Sequence, residues 1–132
     1  MEEIKELKNK TIRGILADFS FDEYGILHAV SKEGNRSIET LIEDLLTVKK
    51  MVGNTKVCMI IDNSFTKAYD FEMIQYTIKE YPKLFNAVAF IPNTPIGKMI
   101  SSILATLNPG NSIPIEMFEN KIVAEKWIKQ YL

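Results

Sequence analysis

The stretch Lys56 to Asp62, KVCMIID, limits the fold more than any other part of the chain. Its residues are almost all apolar, so as a strand it buries both faces, and strands of that kind belong to parallel sheets covered by helices. The run stops at Asp62, and polar residues lead from it into a helical pattern. In open α/β sheets the carboxyl ends of strands meet the amino ends of helices there, and ligands and partners are engaged at that edge.

The rest of the chain supplies matching elements. Thr11 to Phe19 reads as a first strand, with Gly14 marking a bulge or a close backbone approach. Ser20 to Gly25 is a turn and Ile26 to Ser31 a second strand, which together make an antiparallel hairpin. Ser37 caps a helix that carries Ile38, Leu41, Ile42, Leu45, Leu46, Val48, Met51 and Val52 on one face and ends at Gly53. After Asp62 a second helix over Ala68 to Tyr81 has Asp70 as its N-cap and Pro82 as its stop. Phe85 to Ile91 is the fourth strand, and Pro95 opens a third helix that ends at Asn108, Pro109 and Gly110. Ile113 to Phe118 is a fifth strand, placed at an edge by Pro114. Asn120 caps a last helix that buries Val123, Ala124, Trp127, Ile128 and Tyr131.

The order is β-β-α-β-α-β-α-β-α: an α/β fold with a mixed, mostly parallel five-stranded sheet, an antiparallel edge strand and four main helices. At 132 residues one domain is expected, with residues 1–10 as a polar lead-in. The near-neutral charge, 16 basic against 17 acidic residues, gives no electrostatic reason to bind nucleic acid or an anionic membrane. One cysteine, Cys58, fits a reducing compartment, and neither a signal peptide nor a run of the roughly 20 apolar residues that a membrane helix needs is visible, so a soluble cytoplasmic protein is expected.

The candidate chemistry is sparse. Asp62 ends a buried strand, where a receiver domain keeps its phosphoacceptor, but the acidic pair and lysine that such a site requires are missing. Pro95-Ile96-Gly97-Lys98 places Gly-Lys at a helix start, yet Pro92 stands where a phosphate loop needs glycine; what survives is an anion-attracting helix end near Thr94 and Lys98. His28 has no second ligand at metal-binding spacing, Cys58 reads as a buried hydrophobe, and no metal, cofactor or catalytic residue is expected. Met51, Met59, Met73, Met99 and Met117 are assigned to core faces. A second apolar face on the helix after Asp62, carrying Tyr69, Met73 and Tyr76, raises dimerisation as a hypothesis.

The element order, the VCMIID strand with its polar loop, and the closing phrase FENKIVAEKWIKQYL resemble the STAS domain, named for sulfate transporters and anti-sigma-factor antagonists, over roughly Thr11 to Leu132. The resemblance implies a non-enzymatic regulatory or scaffolding role. Antagonists of that family bind a kinase-type anti-sigma factor and are switched by phosphorylation of a Ser or Thr at the start of the helix after the third strand. Other members bind nucleotides or small apolar ligands near the same edge. This sequence departs from the family's Asp-Ser-Ser-Gly phrase: the matching region is Lys67-Ala68-Tyr69-Asp70-Phe71, with Asp70 close to the phosphoacceptor position and Ser64 and Thr66 as hydroxyls in the loop. A protein partner is therefore expected at an edge made by Asp62, Asn63, Ser64, Thr66, Tyr69, Asp70, Asn93, Thr94 and Lys98, with a small-ligand carrier as the alternative and a hydrolase or transferase as the weakest reading.

Overall fold

The computed structural model describes residues 10–34, 36–63, 70–107 and 112–132. Six strands form one sheet in the order β1-β2-β3-β4-β5-β6, made by Thr11–Arg13, Ala17–Phe21, Leu27–Ser31, Val57–Asp62, Phe85–Ile91 and Ile115–Met117. The helices are α1 (Ile38–Val52), α2 (Phe71–Leu84), α3 (Pro95–Leu107) and α4 (Lys121–Ile128), which continues into a 3-10 turn over Lys129–Tyr131. Strands β3 to β6 run parallel, whereas β2 is antiparallel to both of its neighbours.

The expected first strand is broken in two, giving six strands rather than five, and the antiparallel strand lies one place in from the edge. The break has a local cause. Gly14 donates its N–H to the Ala17 carbonyl at 2.9 Å. A Cβ at Gly14 would come within 2.5 Å of that carbonyl and 2.9 Å of an Asp44 oxygen. Asp44, on the buried face of α1, accepts the N–H groups of Ile15 at 2.7 Å and Leu16 at 2.8 Å. These donors would otherwise be left without partners where the chain turns between β1 and β2. The turn expected at Ser20 to Gly25 also shifts: Ser20 and Phe21 belong to β2, and the Asp22 side chain closes the hairpin by accepting from Tyr24 and Ile26.

Helix boundaries follow the capping residues. Ser37 and Thr40 form a reciprocal capping box on α1, Gly53 ends α1 at φ 63°, and Asn120 accepts the Val123 N–H at the start of α4. Pro82 does not stop α2, which continues to Leu84. The proline removes one donor near the end of the helix, while buried Leu84 and the bond from the Phe85 N–H to the Tyr81 carbonyl hold the last turn in place.

The two faces of the sheet are covered differently. One carries Phe19, Phe21, Met59, Val88 and Phe90 against residues of α1, α2 and α3. The other carries Cys58, Ile60, Ala87, Ala89 and Ile91 against Ala124 and Ile128 of α4. Small residues on β5 let α4 lie close to the sheet, and Phe118, Trp127 and Tyr131 pack ring to ring beside it. Among the described residues no helix is long and apolar enough to cross a membrane.

Several expected core residues lie at the surface instead. Leu46 and Val123 are exposed, as are Met99 and Met117, because each occupies a helix or strand position that no neighbouring element covers. Met51, Met59 and Met73 are buried as expected.

Candidate functional site

The carboxyl ends of β4 and β5 bring Asp62 and Asn93 together, with the Asn93 amide donating to an Asp62 oxygen at 3.3 Å. The neighbouring Asn63 is turned inward. Its backbone N–H reaches the Ile91 carbonyl at 3.1 Å and its side-chain amide donates to the buried Ser101 hydroxyl at 3.1 Å. That bond ties the end of β4 to α3, so the Asn63 side chain serves the interior rather than a contact surface.

Thr94 caps α3: its hydroxyl accepts the Gly97 N–H at 3.0 Å and its carbonyl accepts that of Lys98 at 2.9 Å. A Cβ at Gly97 would come within 2.8 Å of the Asn63 carbonyl, so the glycine lets the helix start press against the strand end. The hydroxyl thus fills part of the anion-attracting position expected there. Lys98 is exposed and, with Pro92, Asn93, Met117, Phe118 and Glu119, lines a depression of about 440 Å³.

Asp70 caps α2 as expected, accepting the Met73 N–H at 2.9 Å, and Glu72 adds a second carboxylate to that first turn. Both charges complement the positive end of the helix dipole. Ser64, Thr66 and Tyr69 lie outside the described residues.

A second region was not singled out by the sequence. On the α4 face, β2 and β3 extend beyond the helix and leave an open cleft of about 650 Å³, whose lining includes Ser20, His28, Val30, Asp62, Lys121 and Glu125. His28 Nε2 and an Asp22 oxygen are 2.8 Å apart, and the other Asp22 oxygen holds the hairpin turn. Ser20 stands opposite His28 in the β2–β3 register, but no hydrogen bond joins them. Asp22 and His28 could have been connected from sequence only by knowing the hairpin register. Among the described residues no group of three His, Cys, Asp or Glu side chains could hold a metal ion. Burial raises the pKa of the Cys58 thiol, which packs beneath α4 with its Sγ 3.6 Å from the Tyr131 carbonyl.

A mixed sheet with an antiparallel start, helices on both faces and a capped helix after the central strand make up a STAS-like fold. The chain belongs to the family described as domain of unknown function DUF7793, whose model matches residues 19–132. A solved structure, an uncharacterized protein of the DUF3478 family with a SpoIIAA-like fold from Shewanella loihica PV-4, is similar at a TM-score of 0.56 and 17% identity. The likeness covers 88% of this chain and 94% of that one, and at this identity it speaks for the fold alone. No curated protein matches the sequence.

Proposed function

We propose that the protein is a non-enzymatic regulatory or scaffolding domain that binds a protein partner across the edge formed by Asp62, Asn93, Lys98 and the start of α2 at Asp70. The observation that carries this reading is the apolar surface beside those polar groups. Ile96, Met99 and Met117 are 43%, 57% and 42% exposed on α3 and the adjacent β6, around Lys98. Large apolar side chains gathered beside fixed polar groups suit a protein surface, and methionine adapts its shape to what it meets. The carboxylate of Asp70 supports an edge with permanent negative charge where related folds place a switchable hydroxyl.

Affinity capture from the native host, comparing wild type with Asp62→Lys, Asp70→Lys and Met99→Glu, tests the reading. A specific partner retained by wild type and depleted in all three variants is expected. Equal retention by the variants contradicts the proposed edge.

A second reading, a small-ligand carrier, is favoured by the cleft on the α4 face. Its volume of about 650 Å³ lies within the range of ligand sites.

A further inference from the structure

Helix α3 differs from its neighbours in the same layer. The exposed sides of α1 and α2 carry charges, Glu39, Glu43, Lys49 and Lys50 on one and Glu72, Lys79 and Lys83 on the other. In the 13 residues of α3 the one charge is Lys98. A helix so nearly free of charge belongs in an interior. Yet α3 packs beside β6, the last strand of the sheet, and buries only Gly97, Ile100, Ser101 and Leu104. A second apolar stripe runs alongside. Ile96, Met99, Ile103 and Leu107 follow one another at steps of three or four residues, which keeps them on one side of the helix. Ile103 is half-buried at the margin of the core, whereas Ile96, Met99 and Leu107 are exposed.

The stripe reads nearly the same in either direction. If two copies of α3 lie antiparallel about a two-fold axis through the middle of the pair, Ile96 comes opposite Leu107 and Met99 opposite Ile103, so the surface is complementary to itself. Charge favours the same arrangement. The first turn of α3 has no acidic residue and its last turn no basic one, so its own side chains do not balance the partial charges at its two ends. Lys98 stands near the amino end, the wrong end for a cation. In an antiparallel pair each Lys98 lies beside the last turn of the other α3, where a cation is favoured. A strongly charged partner, by contrast, meets a single lysine on this helix.

We infer that the α3 edge is a self-association surface, covered by a second copy of this chain with α3 antiparallel against α3. The inference rests on the protein-binding reading of this edge and goes beyond it by naming the partner and its orientation. A helix of 13 residues spans about 20 Å. The contact therefore belongs to the small, reversible class that buries less than about 1,200 Å² in total.

Analytical ultracentrifugation of the full chain from about 1 μM to about 1 mM tests the inference. A reversible monomer–dimer equilibrium with a dissociation constant of about 100 μM or tighter is expected. Met99→Glu and Leu107→Glu, both at exposed positions, should each weaken it at least about tenfold. Cross-linking reads the orientation. In a Cys58→Ala background, an Ile96→Cys chain mixed with a Leu107→Cys chain should give mainly the mixed disulfide-linked dimer. Disulfides formed mainly between like chains contradict the antiparallel pair. A chain that stays monomeric up to about 1 mM overturns the inference, as does a dimer that both glutamate variants leave at wild-type strength. Affinity capture keeps the two readings of this edge apart. A monomeric chain whose captured partner is lost in Met99→Glu refutes self-association alone, whereas a monomeric chain with equal capture by wild type and variant removes the protein-binding edge as well.

Discussion

The two faces of the sheet make different uses of similar strands. Against α1, α2 and α3 the sheet presents aromatic and long aliphatic side chains, and even the polar Asp44 is spent on holding Ile15 and Leu16 in place. On the α4 side the helix packs mainly on β4 and β5, and Val30, His28 and Ser20 face a cleft. Apolar burial stabilises in proportion to the area removed from water, so the first face provides most of the folding free energy. The second face gives up part of that gain and keeps strand surface available for binding.

Neighbouring residues on β3 separate the two roles most sharply. Ala29 is 1% exposed on the covered face, while Val30 is 53% exposed on the open one. Ala29→Asp should show the largest loss, more than about 4 kcal/mol, because an unpaired carboxylate is forced among apolar side chains. Urea unfolding would measure it, and a loss under about 1 kcal/mol would mean that the first face is not packed as described.

Asp44→Asn should cost about 2 kcal/mol, since one carboxylate oxygen that accepts a buried N–H becomes an amide donor. Chemical denaturation, with exchange protection of the Ile15 and Leu16 amides, would check it, because both protections should fall. Asp70→Ala should remove about 1 kcal/mol through loss of the α2 cap. A thermal scan that found the melting temperature unchanged would remove Asp70 from that role and sharpen its assignment to the contact edge.

Cys58 gives a smaller, pH-dependent effect. Its folded pKa is raised by burial, so its contribution is complete below the unfolded thiol pKa and is lost as pH rises through the folded value. Unfolding should become easier on the alkaline side of the ordinary thiol range in wild type, and less so in Cys58→Ala. Equal pH slopes would show that Cys58 does not contribute.

Much of the fold was legible because local chemistry and pattern agree. Ser37, Asp70 and Asn120 cap the helices assigned to them, and the apolar run Val57 to Ile61 lies in the middle of the sheet. Less legible was which periodic faces would find a neighbour. Met99, Met117, Leu46 and Val123 fit the spacing of buried positions but face outward, since periodicity shows which residues share a face and not what covers it. Asp44 was hidden by its polarity, although it falls in step with Leu41, Leu45 and Val48; a carboxylate on an apolar helix face is itself a signal of buried backbone partners. In the edge proposed from sequence, Asp62 and Asn93 meet, whereas Asn63 and Thr94 are drawn into holding α3. The cleft needed the register that sets Ser20 beside His28, which no local pattern supplies.

The division of the sheet is tested most directly by the urea stability of Val30→Asn, a neutral change because Val30 pairs with Asp18 and Asp62. If β3 is open on the α4 side, the amide stays hydrated and the loss remains below about 1 kcal/mol, within the range of surface substitutions in a strand. A loss comparable to that of Ala29→Asp would mean that Val30 is covered in the folded protein, and would contradict both the open face and the binding role assigned to it.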